Sequence, residues 1–130
     1  MQKGAYLVTG ANRGIGLAFA QHLSKRGDHV IATCRQPEKA RDLARLPLRL
    51  EKLDVADEEN IAELASRLKG EALDVLINNA GIGDDGPPFG HLSMKDLEDT
   101  LRVNAVGPVA LAQALLPNLR AGKRRAIVNL

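Results

Sequence analysis

Thr9-Gly10-Ala11-Asn12-Arg13-Gly14-Ile15-Gly16 stands between an apolar run, Ala5-Tyr6-Leu7-Val8-Thr9, and a segment of helical period from Gly14 to Arg26. A strand that passes through a glycine turn into a helix leaves the first helical amides without intrahelical partners, and those amides attract an anion. Glycine permits the tight turn, lets backbone approach a diphosphate, and lets the helix pack closely on the strand. The stretch therefore reads as a phosphate cradle over the end of a first strand. A glycine-rich turn that binds nothing is the alternative, and the strand-to-helix setting argues against it.

The pattern repeats outward from this point. On the first helix Ile15, Ala18, Phe19 and Leu23 fall on one face, with Gly27 placed as a C-terminal cap. Residues 29–34 form a second strand, Pro37 opens a short helix to about Arg45, and residues 48–53 alternate as a third strand. After Asp57, a cap, Ile61, Leu64, Ala65 and Leu68 make a helical stripe that Gly70 ends. Asp74-Val75-Leu76-Ile77-Asn78 is a fourth strand, apolar enough to be buried on both faces. A loop rich in Gly, Asp and Pro follows, and Ser93 with Asp96 caps a long helix carrying Leu97, Leu101, Ala105, Val109 and Ala112, which Pro117 helps to stop. Ala126-Ile127-Val128-Asn129-Leu130 is a fifth strand. Strand and helix in alternation imply parallel pairing with right-handed crossovers, hence a doubly wound α/β architecture. In such sheets the ligand lies beyond the C-terminal strand ends, here around Gly10, Cys34, Asp54, Asn79 and Leu130.

Composition fits one domain over residues 1–130: 45% hydrophobic, 26% charged, and 18 Lys plus Arg against 16 Asp plus Glu, a net charge of +2. With no Trp, two Phe and one Tyr, stacking platforms for nucleic acid are lacking, and so small a charge surplus is not a phosphate-binding face. Lys123-Arg124-Arg125 reads as a polar approach to the last strand, and Asp84-Asp85 as a solvated loop rather than a cation site. His22, His29 and His91 have no ligand spacing, so no metal is expected. No apolar run approaches a membrane span, and a single Cys34 makes no internal disulfide, so a cytoplasmic setting without a membrane partner is expected.

The second decisive signal is Asn78-Asn79-Ala80-Gly81 at the end of the fourth strand. Together with Asp54-Val55 after the third strand and Asn104 in the long helix, it resembles the short-chain dehydrogenase/reductase pattern, TGxxxGIG followed by NNAG. The likeness runs from about Lys3 to Leu130, and Asp74 to Gly81 with Leu115-Leu116-Pro117 looks most like the C-factor and sniffer-type carbonyl reductase branch. The resemblance implies a Rossmann fold with strand order 3-2-1-4-5. It also implies that Gly10, Asn12, Gly14, Ile15 and Gly16 surround a cofactor diphosphate, that Asp54 accepts from the adenine amine with Val55 beside it, and that Asn79, Ala80 and Gly81 line the ribose and the approach to the nicotinamide. A cap at Asp54 and strand-end satisfaction at Asn79 remain the plainer readings.

Cofactor choice follows from charge. An enzyme that takes NAD places a carboxylate near the end of the second strand, whereas this region reads Thr33-Cys34-Arg35. Arg35, with Arg13 in the glycine loop, can pair with a 2′-phosphate, so NADP is expected over NAD; two solvated arginines are the alternative. Pro108 inside the long helix removes the hydrogen bond to the Asn104 carbonyl. In the resembling family that carbonyl holds a water linked to the catalytic lysine; a packing kink eased by Gly107 is the alternative.

Proton transfer in the family uses a Tyr-x-x-x-Lys pair and a Ser after the fifth strand, none of which falls within residues 1–130; Tyr6 is followed four residues on by Gly10. The expectation is the cofactor-binding part of an NADP-dependent oxidoreductase for a carbonyl or secondary alcohol, inactive as these residues alone. A homo-oligomer is implied by the family's helices. A non-catalytic nucleotide-binding or signalling module of C-factor type is the alternative, and a purely structural α/β domain a third.

Overall fold

The computed structural model describes residues 2–83 and 86–130. Five strands, β1 (Ala5–Val8), β2 (His29–Cys34), β3 (Arg49–Lys52), β4 (Val75–Asn78) and β5 (Ala126–Asn129), form one parallel sheet in the order β3-β2-β1-β4-β5. Register is set by Ala5 opposite His29, Tyr6 opposite Val75, and Val75 opposite Ala126. Successive strand residues face opposite sides, so Tyr6 and Val8 enter one core and Leu7 the other. The first core lies under α1 (Gly14–Arg26) and α2 (Arg41–Ala44); the second lies under α3 (Glu58–Arg67), α5 (Gly107–Ala114) and α6 (Leu116–Ala121). This is the doubly wound Rossmann arrangement. The chain winds outward from β1 to β3, then returns to β4 on the other side of β1, and the loops leaving β1 and β4 diverge over a crevice.

The elements differ from the sequence expectation at four places. On α1 the buried residues are Gly16, Ala20, Leu23 and Ser24, while Ile15 and Ala18 are exposed, because Gly16 is pressed against the β1 and β4 loops. The helix expected from Pro37 to about Arg45 is a 3-10 turn, Pro37–Lys39, and then α2, separated at Ala40, whose ψ of 69° is not helical and whose side chain is buried. The long helix is α4 (Met94–Leu101), a wider π-helical turn Arg102–Val106, and α5. Leu97, Leu101 and Val109 lie on its exposed face, and burial falls instead to Gly107, Leu111 and Leu115. Pro117 opens α6 rather than stopping a helix, since a first-turn residue needs no amide donor.

The pole opposite the crevice is fastened by polar side chains. Asp74 accepts from the Ala5 and Lys123 amides, each at 2.8 Å. The Tyr6 hydroxyl receives Arg26 at 3.0 Å and also Arg124, whose guanidinium lies over the ring. Tyr6 is thus a buried tie between α1 and the entry to β5, and the basic triplet at 123–125 is part of that entry. Asp84-Asp85 lies outside the described residues.

Candidate functional site

The crevice is held open by a small hydrogen-bonded knot. Thr9 Oγ1 accepts the amides of Asn79 and Ala80, each at 2.9 Å, and Asn79 Nδ2 donates to the Thr9 and Gly10 carbonyls, each at 3.1 Å. The two loops thereby touch. A Cβ on Gly10 would meet Ala80 Cα at 2.8 Å, and one on Gly16 would meet the Gly10 carbonyl oxygen at 2.3 Å. Gly14 is different: its φ is +56°, and nothing stands within 4 Å of where a Cβ would point. The first turn of α1 has no acidic residue, and no side chain caps it at Arg13. By contrast, α3 is capped by Asp57 through the Glu59 and Asn60 amides and carries Glu58 and Glu59 in its first turn. One helix start is thus filled by its own side chains and the other faces the crevice with its positive end.

A cleft of about 880 Å³ runs from this point across the ends of β1, β2 and β3. Gly10, Asn12, Arg13, Gly14, Ile15, Arg35, Asp54, Val55, Asn79, Ala80 and Gly81 all line it. Gly16 is buried behind the loop, where its lack of a side chain admits the Asn79 amide. Charges of both signs line the cleft: Arg13 in the glycine loop, Arg35 and Lys39 after β2 with Glu38 between them, Lys52 at the end of β3, and Asp54 and Asp57 on the approach to α3, where Asn60 also lies. Cys34 also lines it, and burial pushes its thiol pKa up, which keeps it protonated and apolar in character. Asp54 Oδ1 accepts the Ala56 amide at 3.0 Å and the Asp54 amide donates to Asn60 Oδ1 at 3.2 Å.

Asn104 is not in this cleft. It borders an adjoining groove of about 480 Å³ with Asn78, Ala80, Pro108, Ile127 and Leu130. Its side chain grips the loop after β4, accepting the Ile82 amide at 2.8 Å and donating to the Ile82 carbonyl at 2.7 Å. Around it the helix is widened, the Gly107 amide reaching back to the Arg102 carbonyl five residues away. Gly107 is required there for a second reason: a Cβ would stand 2.5 Å from the Val55 carbonyl oxygen. Lys39, Lys52, Asn60 and Ile82 were not singled out by sequence. Asn60 alone left a signal, as a polar residue three positions after the Asp57 cap, where a capping partner can sit.

These features fit a dinucleotide. The volume suits an extended ligand, the positive-φ glycines and uncapped amides suit a diphosphate, and Arg13 and Arg35 offer partners to a further phosphate while Asp54 offers an acceptor to a base.

Residues 5–130 match the family model described as short chain dehydrogenase. Retinol dehydrogenase 5 of Homo sapiens is 34% identical over 127 residues, covering 92% of this chain and 40% of that protein. Among solved structures, the NADPH-bound carbonyl reductase from chicken fatty liver superposes with a TM-score of 0.86 at 38% identity, covering 93% of this chain and 53% of that one. Carbonyl reductase Sniffer of D. melanogaster gives a TM-score of 0.84 at 31% identity, covering 92% and 53%. The chain spans 40% to 50% of the length of the first curated relatives it matches.

Proposed function

From the premise that the chain belongs to the short-chain dehydrogenase family, we propose that residues 1–130 form the dinucleotide-binding domain of an NADP-dependent oxidoreductase acting on a carbonyl or secondary alcohol. The observation that carries this reading is the uncapped start of α1, set against the Asn79 loop and opening on a cleft lined by Arg13 and Arg35. When bound, the nicotinamide supplies the hydride donor or acceptor.

The chain's own residues bind and orient. Amides at the start of α1, with Gly10 and Asn12 beside them, receive the diphosphate, and Ile15 bounds it on the open side. Arg13 and Arg35 pair with the 2′-phosphate. Asp54 and the Val55 amide read the adenine edge, while Asn79, Ala80 and Gly81 line the ribose and lead to the nicotinamide. Pro108 has no amide to offer the Asn104 carbonyl, which leaves that oxygen as an acceptor for a water on a proton path. The exposed apolar residues Met94, Leu97, Leu101 and Val109 supply a surface for a homo-oligomer. A cytoplasmic setting agrees with Cys34 as a free, buried thiol, and no described helix is long and apolar enough to cross a membrane.

Arg35→Asp tests the cofactor choice. NADPH affinity should fall about ten-fold or more while NADH affinity holds or rises, because a carboxylate repels the 2′-phosphate and accepts from a 2′-hydroxyl. Titration of both by protein-to-nicotinamide fluorescence reads the ratio, and an unchanged ratio removes Arg35 from this role.

A further inference from the structure

We infer that Asn60 is a positioning residue for adenine recognition, holding the Asp54–Val55 edge in the place from which it reads the base. This rests on the dinucleotide reading above. Asp54 lies two residues beyond β3 and has left the sheet ladder, so its amide needs another partner. Asn60 supplies it, accepting at Oδ1 from the Asp54 amide at 3.2 Å. The other end of the same side chain donates from Nδ2 to Asp57 Oδ2 at 3.1 Å, and the Asn60 backbone amide donates to Asp57 Oδ1 at 3.3 Å.

Both ends of the side-chain amide are therefore used, by a donor on one side and a carboxylate on the other, which fixes its orientation without ambiguity. The residue bridges the end of β3 to the first turn of α3. It sits outside the buried face of that helix, which Ile61 and Leu64 supply, so its side chain answers to the loop rather than to the core.

The consequence falls on Asp54. One carboxylate oxygen accepts the Ala56 amide at 3.0 Å, and among the described residues the other takes no hydrogen bond. Asp54 lines the cleft, and an oxygen left over from the Ala56 bond can accept from a 6-amine, whereas a 6-oxo group in its place would oppose lone pair to lone pair. Without Asn60 the Asp54 amide would lose its partner, leaving the Asp57 amide on the Asp54 carbonyl and the Ala56 amide on the carboxylate, and discrimination between the two bases should fall as that edge loosens.

The experiment compares NADPH with its hypoxanthine analogue, in which the adenine 6-amine is an oxo group, binding to the wild-type chain and to Asn60→Ala, Asn60→Asp and Asp54→Ala. The wild type should prefer the adenine form. Asn60→Ala should reduce that preference about five-fold, mainly by weakening the adenine form, and Asn60→Asp, which sets a carboxylate against that of Asp57, should reduce it as well. Equal weakening of both nucleotides in Asn60→Ala, or an unchanged preference, would overturn the inference. If Asn60→Ala does not fold, an unchanged preference in Asn60→Asp overturns it. Collapse in Asp54→Ala alone would leave Asp54 as the base reader and remove Asn60. A wild type that binds neither nucleotide overturns this inference and the dinucleotide reading together.

Discussion

Asn79 and Thr9 hold each other from both sides, the Asn79 amide donating to Thr9 Oγ1 at 2.9 Å and Asn79 Nδ2 donating to the Thr9 carbonyl at 3.1 Å. Thr9 is buried, and its hydroxyl also accepts the Ala80 amide. Thr9→Val keeps the shape but removes the acceptor of two amides, so it should cost about 2 kcal/mol or more of stability, while Thr9→Ser should lose less than half as much. Urea unfolding of the two variants checks the difference; equal losses would mean that shape and not the hydroxyl holds the loops together.

The glycines at 14 and 16 should fail in opposite ways. A methyl on Gly16 would meet the Gly10 carbonyl oxygen 2.3 Å away and Asn79 Nδ2 2.4 Å away, so Gly16→Ala should lower stability by on the order of 3 kcal/mol. Gly14→Ala meets open space, and its φ of +56° costs only roughly 1 kcal/mol. Its methyl projects beside the uncapped turn, and NADPH affinity should fall at least about ten-fold with the fold intact. Melting temperature and nucleotide titration, measured on both variants, separate the two effects.

What the sequence carried was the chemistry that is local. Asp57 and Ser93 declare helix starts because a cap bonds amides two or three residues away, and both do so here. Gly10 and Asn79 could be paired in one site because strand alternation places all C-terminal strand ends on one edge. The outward face of α4 and the inward face of α5 could not be separated by periodicity, since the π-helical turn between them shifts the phase of the stripe. Lys39 was hidden for a related reason: it reaches the cleft only because buried Ala40 breaks the helix expected there and leaves a 3-10 turn over the end of β2. Ile82 enters the site through the Asn104 side chain, a contact across 22 residues that no local pattern announces.

Gly107 links the widened helix to the part of the cleft lined by Val55. Gly107→Ala would place carbon 2.5 Å from the Val55 carbonyl oxygen and 3.1 Å from that of Arg102, both backbone atoms with little room to yield. A destabilisation of about 1–3 kcal/mol is expected, together with weaker binding of 5′-AMP if Val55, which would be displaced, reads the base as proposed. Retained 5′-AMP affinity at reduced stability would confine Gly107 to helix packing.

At the far pole, the amides of Ala5 and Lys123 hold the Asp74 carboxyl below the usual carboxylate range, burial opposes them, and the Arg124 amide and charge add to the lowering. A folded-state pKa below the unfolded value means that ionised Asp74 contributes stability fully above about pH 5 and loses that contribution as pH falls through about 4 and below. Because the same carboxylate ties β1 to the entry of β5, its protonation should loosen both at once. Asp74→Ala should therefore cost on the order of 2 kcal/mol at pH 7, and the difference from wild type should shrink steadily below pH 4. Denaturant midpoints for both proteins between pH 3 and pH 7 measure it. A difference that stays constant across that range would show that the lost side-chain contacts, and not the charge, account for the effect.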